Sequence, residues 1–132
     1  MKLKSFNLSI GTQVLKALSD ESRVRILNLI YFNKEMCISD LEQILDFTQT
    51  KVSRHMSYLK NAGLLRYRKR DQWIYYYIKE EYFTIVEQLM ALFEKDQILE
   101  EDQANFNTLY ANNILAIRKV HNQEKKYKLP NL

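Results

Sequence analysis

The fold of this chain is decided by residues 39–63, SDLEQILDFTQTKVSRHMSYLKNAG. Ser39 and Glu42 form a capping box, in which each side chain satisfies a free amide of the first helical turn. A short helix is therefore predicted to begin at Ser39 and to end near Leu45. Thr48 is a good N-cap, so it predicts the start of a second helix.

The second helix is predicted over about 49–61, because Gly63 stands where a left-handed residue ends a helix. Asp46 and Phe47 are the only residues between the first helix and the cap of the second. Two short helices joined by so tight a connection are typical of a helix-turn-helix, here over residues 39–62.

The second helix of this motif has two distinct faces when its residues are placed about 100° apart. Val52, Met56 and Leu59 fall on one side and predict a core stripe. The opposite side has no carboxylate and consists of Thr50, Arg54, Ser57, Tyr58 and Asn61. Such a face suits the major groove of a duplex, where base edges and phosphates both need hydrogen-bond donors. The first turn, with Gln49, reaches deepest in motifs of this kind.

Ser53 and His55 lie at the boundary between these two faces. For His55 two interpretations stay open, namely a contact with DNA and a histidine packed at the edge of the core. Both residues are therefore kept as candidate contacts.

A β-hairpin is predicted over residues 64–78, where β-branched and aromatic residues replace the helical pattern. Its tip has the sequence RKRDQ, residues 68–72, and a charged hairpin beside a recognition helix is typical of a wing. Tyr75, Tyr76 and Tyr77 fit two interpretations. They are base-stacking side chains of a single-strand binder, or strand aromatics packed on alternate faces.

Helical periodicity predicts further helices on both sides of these elements. The predicted helices cover residues 6–18, 21–31, 80–98 and 103–124. Asp20 is a good N-cap for the second of them. No linker-like stretch divides the chain, so residues 1–132 are predicted to form one domain.

The composition, with 46% hydrophobic and 27% charged residues among 132, is that of an ordinary globular protein. No apolar run approaches the roughly 18 residues of a membrane span. Residues 1–10 alternate polar and apolar side chains, without the apolar segment of about 7–15 residues that a signal peptide has, so none is expected. The expected location is therefore the cytoplasm. The sequence patterns of common enzyme families are absent, so an enzyme is not predicted.

The net charge of +4 conceals a segregation of charges. Residues 48–70 contain seven lysines and arginines and no acid, whereas residues 35–46 contain four acids and no base. Residues 80–102 hold eight acids against one base, Lys95. The basic block is explained equally by a footprint for an anion such as DNA and by a solvated face.

Two segments resemble the ArsR-type (arsenic-repressor-like) transcription factors. Residues 17–27, ALSDESRVRIL, are similar to the opening of that family, and residues 48–65, TQTKVSRHMSYLKNAGLL, to its recognition-helix signature. Residues 68–78 match its wing. The resemblance implies a winged-helix homodimer that binds operator DNA and often releases it on sensing a ligand. It also implies that the first helix and the helix after the wing build the dimer interface.

The sensor sites of that family are matched only in part. Its soft-metal site has two cysteines separated by one residue; Cys37 matches the first, and Ser39 stands at the second position. His121 and Glu124 resemble one half of its zinc site, without the second pair of ligands. No metal and no cofactor are therefore predicted. A redox role and a buried structural role stay open for Cys37.

The sequence thus predicts a mainly α protein with a small β-hairpin (α+β), a dimeric winged helix-turn-helix with an extra C-terminal helix. Helices 6–18 and 80–98 are its predicted dimerisation helices.

The predicted function is sequence-specific binding of double-stranded DNA as a homodimeric repressor at an inverted-repeat operator, with a small-molecule or redox effector left open. The alternatives are a winged-helix module for protein–protein interaction and a redox-responsive regulator that uses Cys37. The predicted DNA contacts are Thr48, Gln49, Thr50, Lys51, Ser53, Arg54, His55, Ser57, Tyr58, Arg68, Lys69, Arg70 and Gln72.

Overall fold

A computed structural model describes residues 6–128, and residues 1–5 and 129–132 of the predicted single domain lie outside it. The elements of the described part are α1 (Leu8–Ala17), α2 (Glu21–Asn33), α3 (Ile38–Leu45), α4 (Gln49–Asn61), β1 (Leu65–Arg70), β2 (Trp73–Ile78), a 3₁₀ turn (Glu80–Tyr82), α5 (Phe83–Leu92), α6 (Gln97–Ala111) and α7 (Ala116–Lys128). None of these helices has the length and apolar character that crossing a membrane requires.

The predicted helix-turn-helix is confirmed as α3 and α4, which pack against each other. Asp46 ends α3 in the left-handed conformation, with φ of 56°, and its amide donates to the Glu42 carbonyl. Thr48 caps α4 as predicted, because its hydroxyl oxygen accepts a hydrogen bond from the Lys51 amide at 3.2 Å. The turn between the helices is therefore held by local backbone and capping bonds.

The C-terminus of α4 is terminated by Gly63, whose φ of 89° is the predicted left-handed conformation. The Gly63 amide donates to the Lys60 carbonyl at 3.0 Å, and the Leu64 amide donates to the Leu59 carbonyl at 3.1 Å. These two bonds form a Schellman motif, and both leucines are fully buried. The motif turns the chain directly from the recognition helix into β1.

The predicted capping box at Ser39 is wrong, because α3 begins one residue earlier, at Ile38. The N-cap is Cys37, which makes no side-chain capping bond, and the Ser39 hydroxyl lies 3.4 Å from the Cys37 sulfur. Met36 explains the difference, because its amide and carbonyl both bond to Tyr76 of β2, at 3.0 and 2.9 Å. This bridge keeps the backbone extended up to Cys37, where the helix begins.

The two strands form the predicted hairpin, an antiparallel pair in which Leu65 lies opposite Ile78 and Arg70 lies opposite Trp73. The connecting loop has two residues, 71–72, and contains no glycine. Asp71 takes the left-handed conformation, with φ of 55°, which aspartate tolerates better than most residues. The hairpin therefore closes tightly without the sequence signal of a glycine turn.

The central helix of the core is α2, which contacts α4, α5, α6 and β2. Its fully buried apolar side chains are Ile26, Leu27, Leu29 and Ile30. Asp20 caps this helix as predicted, because its carboxylate accepts from the Arg23 amide at 3.1 Å. The recognition helix α4 and the C-terminal helices α5 and α6 are thus packed on one common support.

The C-terminal part differs from the prediction of helices over 80–98 and 103–124, because α5, α6 and α7 follow the hairpin. Lys95 breaks the first predicted helix with φ of 69°, and Asp96 then caps α6 by accepting an amide bond at 3.1 Å. Asn113 breaks the second with φ of 60°. Neither break is marked by glycine or proline, so the apolar periodicity continues across both of them.

Two polar contacts fasten α6 to α2. Arg25 donates two hydrogen bonds of 2.9 Å to the buried carboxylate of Asp102. Asn33 and Gln103 exchange amide hydrogen bonds of 2.8 and 3.0 Å. Because a buried charge is tolerated only when it is paired, the Arg25–Asp102 contact fixes where α6 lies on α2.

Asp40 of α3 fastens α7 in a comparable way. Its carboxylate is 1% exposed and accepts hydrogen bonds from the amides of Ala116 at 2.7 Å and Ile117 at 3.0 Å. Burial raises the pKa of Asp40, although the two amide bonds act in the opposite direction. The side chain thereby satisfies the first turn of a helix that follows far along the chain.

Candidate nucleic-acid interface

The outward face of α4 carries polar side chains without a carboxylate. Its exposed members are Thr50, Arg54, Ser57, Tyr58 and Asn61. Val52, Met56 and Leu59 lie on the opposite side and are buried, which confirms the predicted core stripe. Among the ion pairs of the described residues, none involves Arg54. Its guanidinium is therefore available to an anion from outside the chain.

The first turn of α4 continues this face. Thr48, Gln49 and Thr50 are exposed, and the helix N-terminus presents free amides at the positive end of its dipole. The Lys51 ammonium lies 3.8 Å from the centre of the Phe47 ring, a cation–π contact that orients it beside the turn. Amides, hydroxyls and an ammonium group at one end of a helix are suited to a phosphate.

His55 does not share the outward face, and this corrects its place among the predicted DNA contacts. The side chain is 7% exposed, and its Nδ1 lies 3.4 Å from the Arg23 guanidinium. Burial lowers the pKa of His55, so the neutral form is favoured. The core-edge interpretation therefore applies. Ser53 is half-buried and remains at the boundary.

Arg23 of α2 supports this region and was not predicted from the sequence. Its guanidinium donates to the Ala17 carbonyl at 2.7 Å and to the Lys16 carbonyl at 3.2 Å, at the C-terminus of α1. It also lies 4.0 Å from the centre of the Tyr58 ring. One side chain thus joins α1, α2 and α4. Because its partners lie in two other elements, α1 and α4, no local sequence pattern could have indicated this role.

The wing arginines are partly committed to partners within the chain, which the sequence prediction did not anticipate. Arg68 pairs with the buried carboxylate of Glu35 at 3.4 Å, and Arg70 pairs with the same carboxylate. Arg70 also pairs with Glu124 of α7. Lys69 is exposed and takes part in no ion pair among the described residues. Lys69 is therefore the free cation of the three.

The remaining residues of the wing differ in how far their side chains are buried. Gln72 is exposed at the tip of the hairpin. Tyr75 is fully buried, and Tyr76 and Tyr77 are half-buried. A buried ring has no free face for a base, so the interpretation of these tyrosines as packed strand aromatics fits the structure better.

The residues that partly match the sensor sites, Cys37 and the pair His121 and Glu124, lie in surroundings that do not favour metal binding. Burial raises the pKa of the Cys37 thiol to about 11, which disfavours the reactive thiolate. His121 lies with its Nδ1 2.8 Å from the Tyr110 hydroxyl, and Glu124 pairs with Arg70. No group of three or more His, Cys, Asp or Glu side chains suited to a metal ion occurs in the part of the chain that the structure describes.

A helix-turn-helix, a hairpin directly after it and an acid-free outward face on the second helix together define a winged helix-turn-helix protein. The family model described as "Bacterial regulatory protein, arsR family" matches residues 20–67. Over 79 residues the chain is 38% identical to the arsenic resistance transcriptional regulator ArsR2 of Pseudomonas putida, covering 60% of this chain and 69% of that protein. The chain belongs to the ArsR family of bacterial regulatory proteins.

Two further comparisons agree with this assignment. The chain is 40% identical over 68 residues to the arsenic resistance transcriptional regulator ArsR1 of Pseudomonas putida, covering 52% of this chain and 53% of that protein. The match therefore spans about half the length of that relative. The structure of HlyU from Vibrio cholerae N16961 superposes with a TM-score of 0.60 and 28% identity, over 69% of this chain and 98% of that one. The similarity thus spans nearly the whole of that protein and about two thirds of this chain.

Proposed function

We propose that this protein is a transcriptional repressor that binds double-stranded DNA as a homodimer at an inverted-repeat operator. The observation that carries the proposal is the exposed face of α4, which has no carboxylate and whose Arg54 takes part in no ion pair among the described residues. Arginine and amide side chains on such a face read base edges in the major groove. The names of the relatives describe transcriptional regulators, which supports a binding function rather than catalysis. Because an operator of a bacterial gene lies in the cytoplasm, a cytoplasmic location is part of this proposal.

The roles proposed for the individual contacts follow from where the structure places them. Gln49, Thr50 and Arg54 read bases from the first turns of α4. Thr48, Lys51 and Lys69 contact phosphates on either side. The remaining exposed candidates, Ser57, Tyr58, Gln72 and the partly paired Arg68 and Arg70, complete the footprint. Ser53 stays at its edge, and His55 is left out because it is buried.

Arsenic, which is named for both relatives, is not part of the proposal. A soft metalloid site needs several thiolates. The chain has one cysteine, Cys37, and its thiol is buried with a raised pKa.

The affinity for duplex DNA is expected to fall steeply as salt is added, because phosphate contacts release counterions. The expected log–log slope is about −0.9 for each phosphate that the protein neutralises. Fluorescence anisotropy with a labelled duplex from upstream of the protein's own gene measures this slope. The same strand without its complement is the control and should bind more weakly. An affinity that does not change with salt would contradict the proposal.

The proposed dimer interface uses apolar side chains that the single chain leaves in solvent. Leu8 and Leu15 of α1 are 84% and 66% exposed, and Leu92 of α5 is 79% exposed. Leu8 and Leu15 are seven residues apart and therefore lie on one side of their helix. Phe6, just before α1, meets Tyr82, just before α5, with ring centroids 6.5 Å apart. The residues that precede the two helices are thus in contact, and we propose that a second copy covers the exposed leucines of both helices.

Leu15→Asp is expected to convert the dimer into a monomer, because a charge in an apolar interface has no partner. Sedimentation equilibrium should give about twice the 15.9 kDa chain mass for the wild type and the single mass for the variant. Gln13→Asp adds the same charge on the opposite side of α1 and should leave the dimer intact. A Leu15→Asp protein that remains dimeric would rule out this interface.

A further inference from the structure

A cleft of about 400 Å³ lies between α2, α5 and the beginning of α6. Each helix contributes residues from one of its faces, among them Tyr31 and Phe32 of α2, Met90 of α5 and Leu99 of α6. The segment between α5 and α6 also lines the cleft, with Phe93. The volume falls within the roughly 300–1,000 Å³ of small-molecule sites, and the walls are mainly apolar and aromatic, as in such sites.

Asn28 provides a polar group inside this cleft. It lines the cleft from α2 and is only 3% exposed. Among the side-chain hydrogen bonds within the described residues, none involves its amide, whereas the nearby Asn33 amide is paired with Gln103. Among the described residues, the side-chain polar atoms that are both fully buried and without a partner belong to Tyr75 and Arg118, so the Asn28 amide is not shut off from the open space of the cleft. From its place on the cleft wall it can therefore form a hydrogen bond to a bound molecule.

The mouth of the cleft is negatively charged. Glu87, Glu94 and Glu100 line it and are exposed, and Lys95 is the only basic residue among the lining residues of the described chain. The Tyr31 hydroxyl donates to Glu87 at 3.4 Å, so an aromatic ring stands beside the carboxylates. Carboxylates and an aromatic ring at one opening favour a cation.

We propose that this cleft binds a small aromatic amine whose ring carries a hydrogen-bonding group at the end opposite to the amine. The ring lies between the apolar walls, the far group bonds to the Asn28 amide, and the ammonium stays at the mouth among Glu87, Glu94 and Glu100. The site stands apart from the proposed DNA face, so its test uses no duplex.

Isothermal titration calorimetry with three matched compounds tests the assignment. Tyramine carries both a phenol and an ammonium group, phenethylamine lacks the phenol, and 3-(4-hydroxyphenyl)propionate replaces the ammonium with a carboxylate. Tyramine is expected to bind about fivefold more tightly than phenethylamine, the worth of one hydrogen bond. It should exceed the carboxylate by at least about tenfold, because the mouth repels an anion. Equal binding of amine and carboxylate would overturn the proposal.

Two variants test separately the contribution of the Asn28 amide and that of the glutamates at the mouth. Asn28→Leu removes the amide at similar volume and should unfold no lower in temperature than the wild type. It should bind tyramine and phenethylamine equally. Glu94→Gln/Glu100→Gln should weaken both amines about fivefold and leave the carboxylate no weaker. Glu101→Gln, on α6 outside the cleft, is the control and should change nothing.

Two further outcomes contradict the proposal. An Asn28→Leu protein that still prefers tyramine would show that the amide does not contact the ligand. Absence of binding by all three compounds would also overturn it, and a shift in the sedimentation of the Asn28 or glutamate variants would then show that a second copy of the chain covers the cleft instead.

Discussion

The Asp40→Ala variant is expected to unfold with a free energy about 3 kcal/mol below that of the wild type. The Asp40 carboxylate accepts two amide hydrogen bonds from the first turn of α7, at 2.7 and 3.0 Å, and it is 1% exposed. A hydrogen bond to a charged group contributes about 1.5–3 kcal/mol, and its loss leaves a buried donor unpaired. Urea unfolding followed by circular dichroism measures the difference.

Asp40→Asn is the matched variant, because its side-chain oxygen still accepts one of the two amide bonds. Its loss of stability should be about half that of Asp40→Ala. A loss below about 1 kcal/mol for Asp40→Ala would mean that α7 is not held through this carboxylate. In that case the proposed link between the helix-turn-helix and the C-terminal helix would be wrong.

The Arg54→Ala/Lys69→Ala double variant is expected to bind its operator about 100-fold more weakly than the wild type, about tenfold for each contact. Both side chains are exposed and take part in no ion pair among the described residues, so neither removal uncovers a buried charge. The salt slope should also fall by about one for each phosphate contact that is lost. Anisotropy titrations at several salt concentrations measure both quantities.

A charge-matched control distinguishes the loss of direct DNA contacts from the effect of a lower net charge. Ala104→Glu/Ala111→Glu changes the net charge by the same amount at two exposed positions of α6. Its duplex affinity should stay within about threefold of the wild type, because the added charges lie on another helix and are screened beyond roughly 10 Å. If both double variants bind equally weakly, the affinity depends on total charge and the assigned contacts are wrong.

The recognition helix was predictable from the sequence because its determinants are local. The cap at Thr48, the buried stripe of Val52, Met56 and Leu59 and the left-handed Gly63 all act within one or two turns of α4. The hairpin was predictable for the same reason, since its strand residues follow directly on the helix.

The features that could not be predicted depend on contacts between distant parts of the chain. Glu35 precedes α3 yet pairs with Arg68 and Arg70 in the wing, so two predicted phosphate contacts are partly committed. Asp40 caps a helix that begins far along the chain, at Ala116. An isolated β-bridge at Met36, rather than a capping box, sets where α3 begins. No residue pattern within one element carries this information.

The breaks between the C-terminal helices were missed for a different reason. Lys95 and Asn113 adopt left-handed conformations that glycine usually supplies. Apolar residues continue at helical spacing on both sides of each break. The sequence pattern therefore predicted one continuous helix where the structure has two. The Arg25–Asp102 pair, which joins α2 to α6, then fixes the arrangement that results.

Selection of bound duplexes from a random pool tests the central claim most directly, because it measures DNA recognition and symmetry together. A two-fold dimer that reads bases through α4 predicts enrichment of an inverted repeat, with half-site centres about one or two helical turns apart. Enrichment of no sequence, or of a sequence without two-fold symmetry, by a folded and dimeric protein would contradict it.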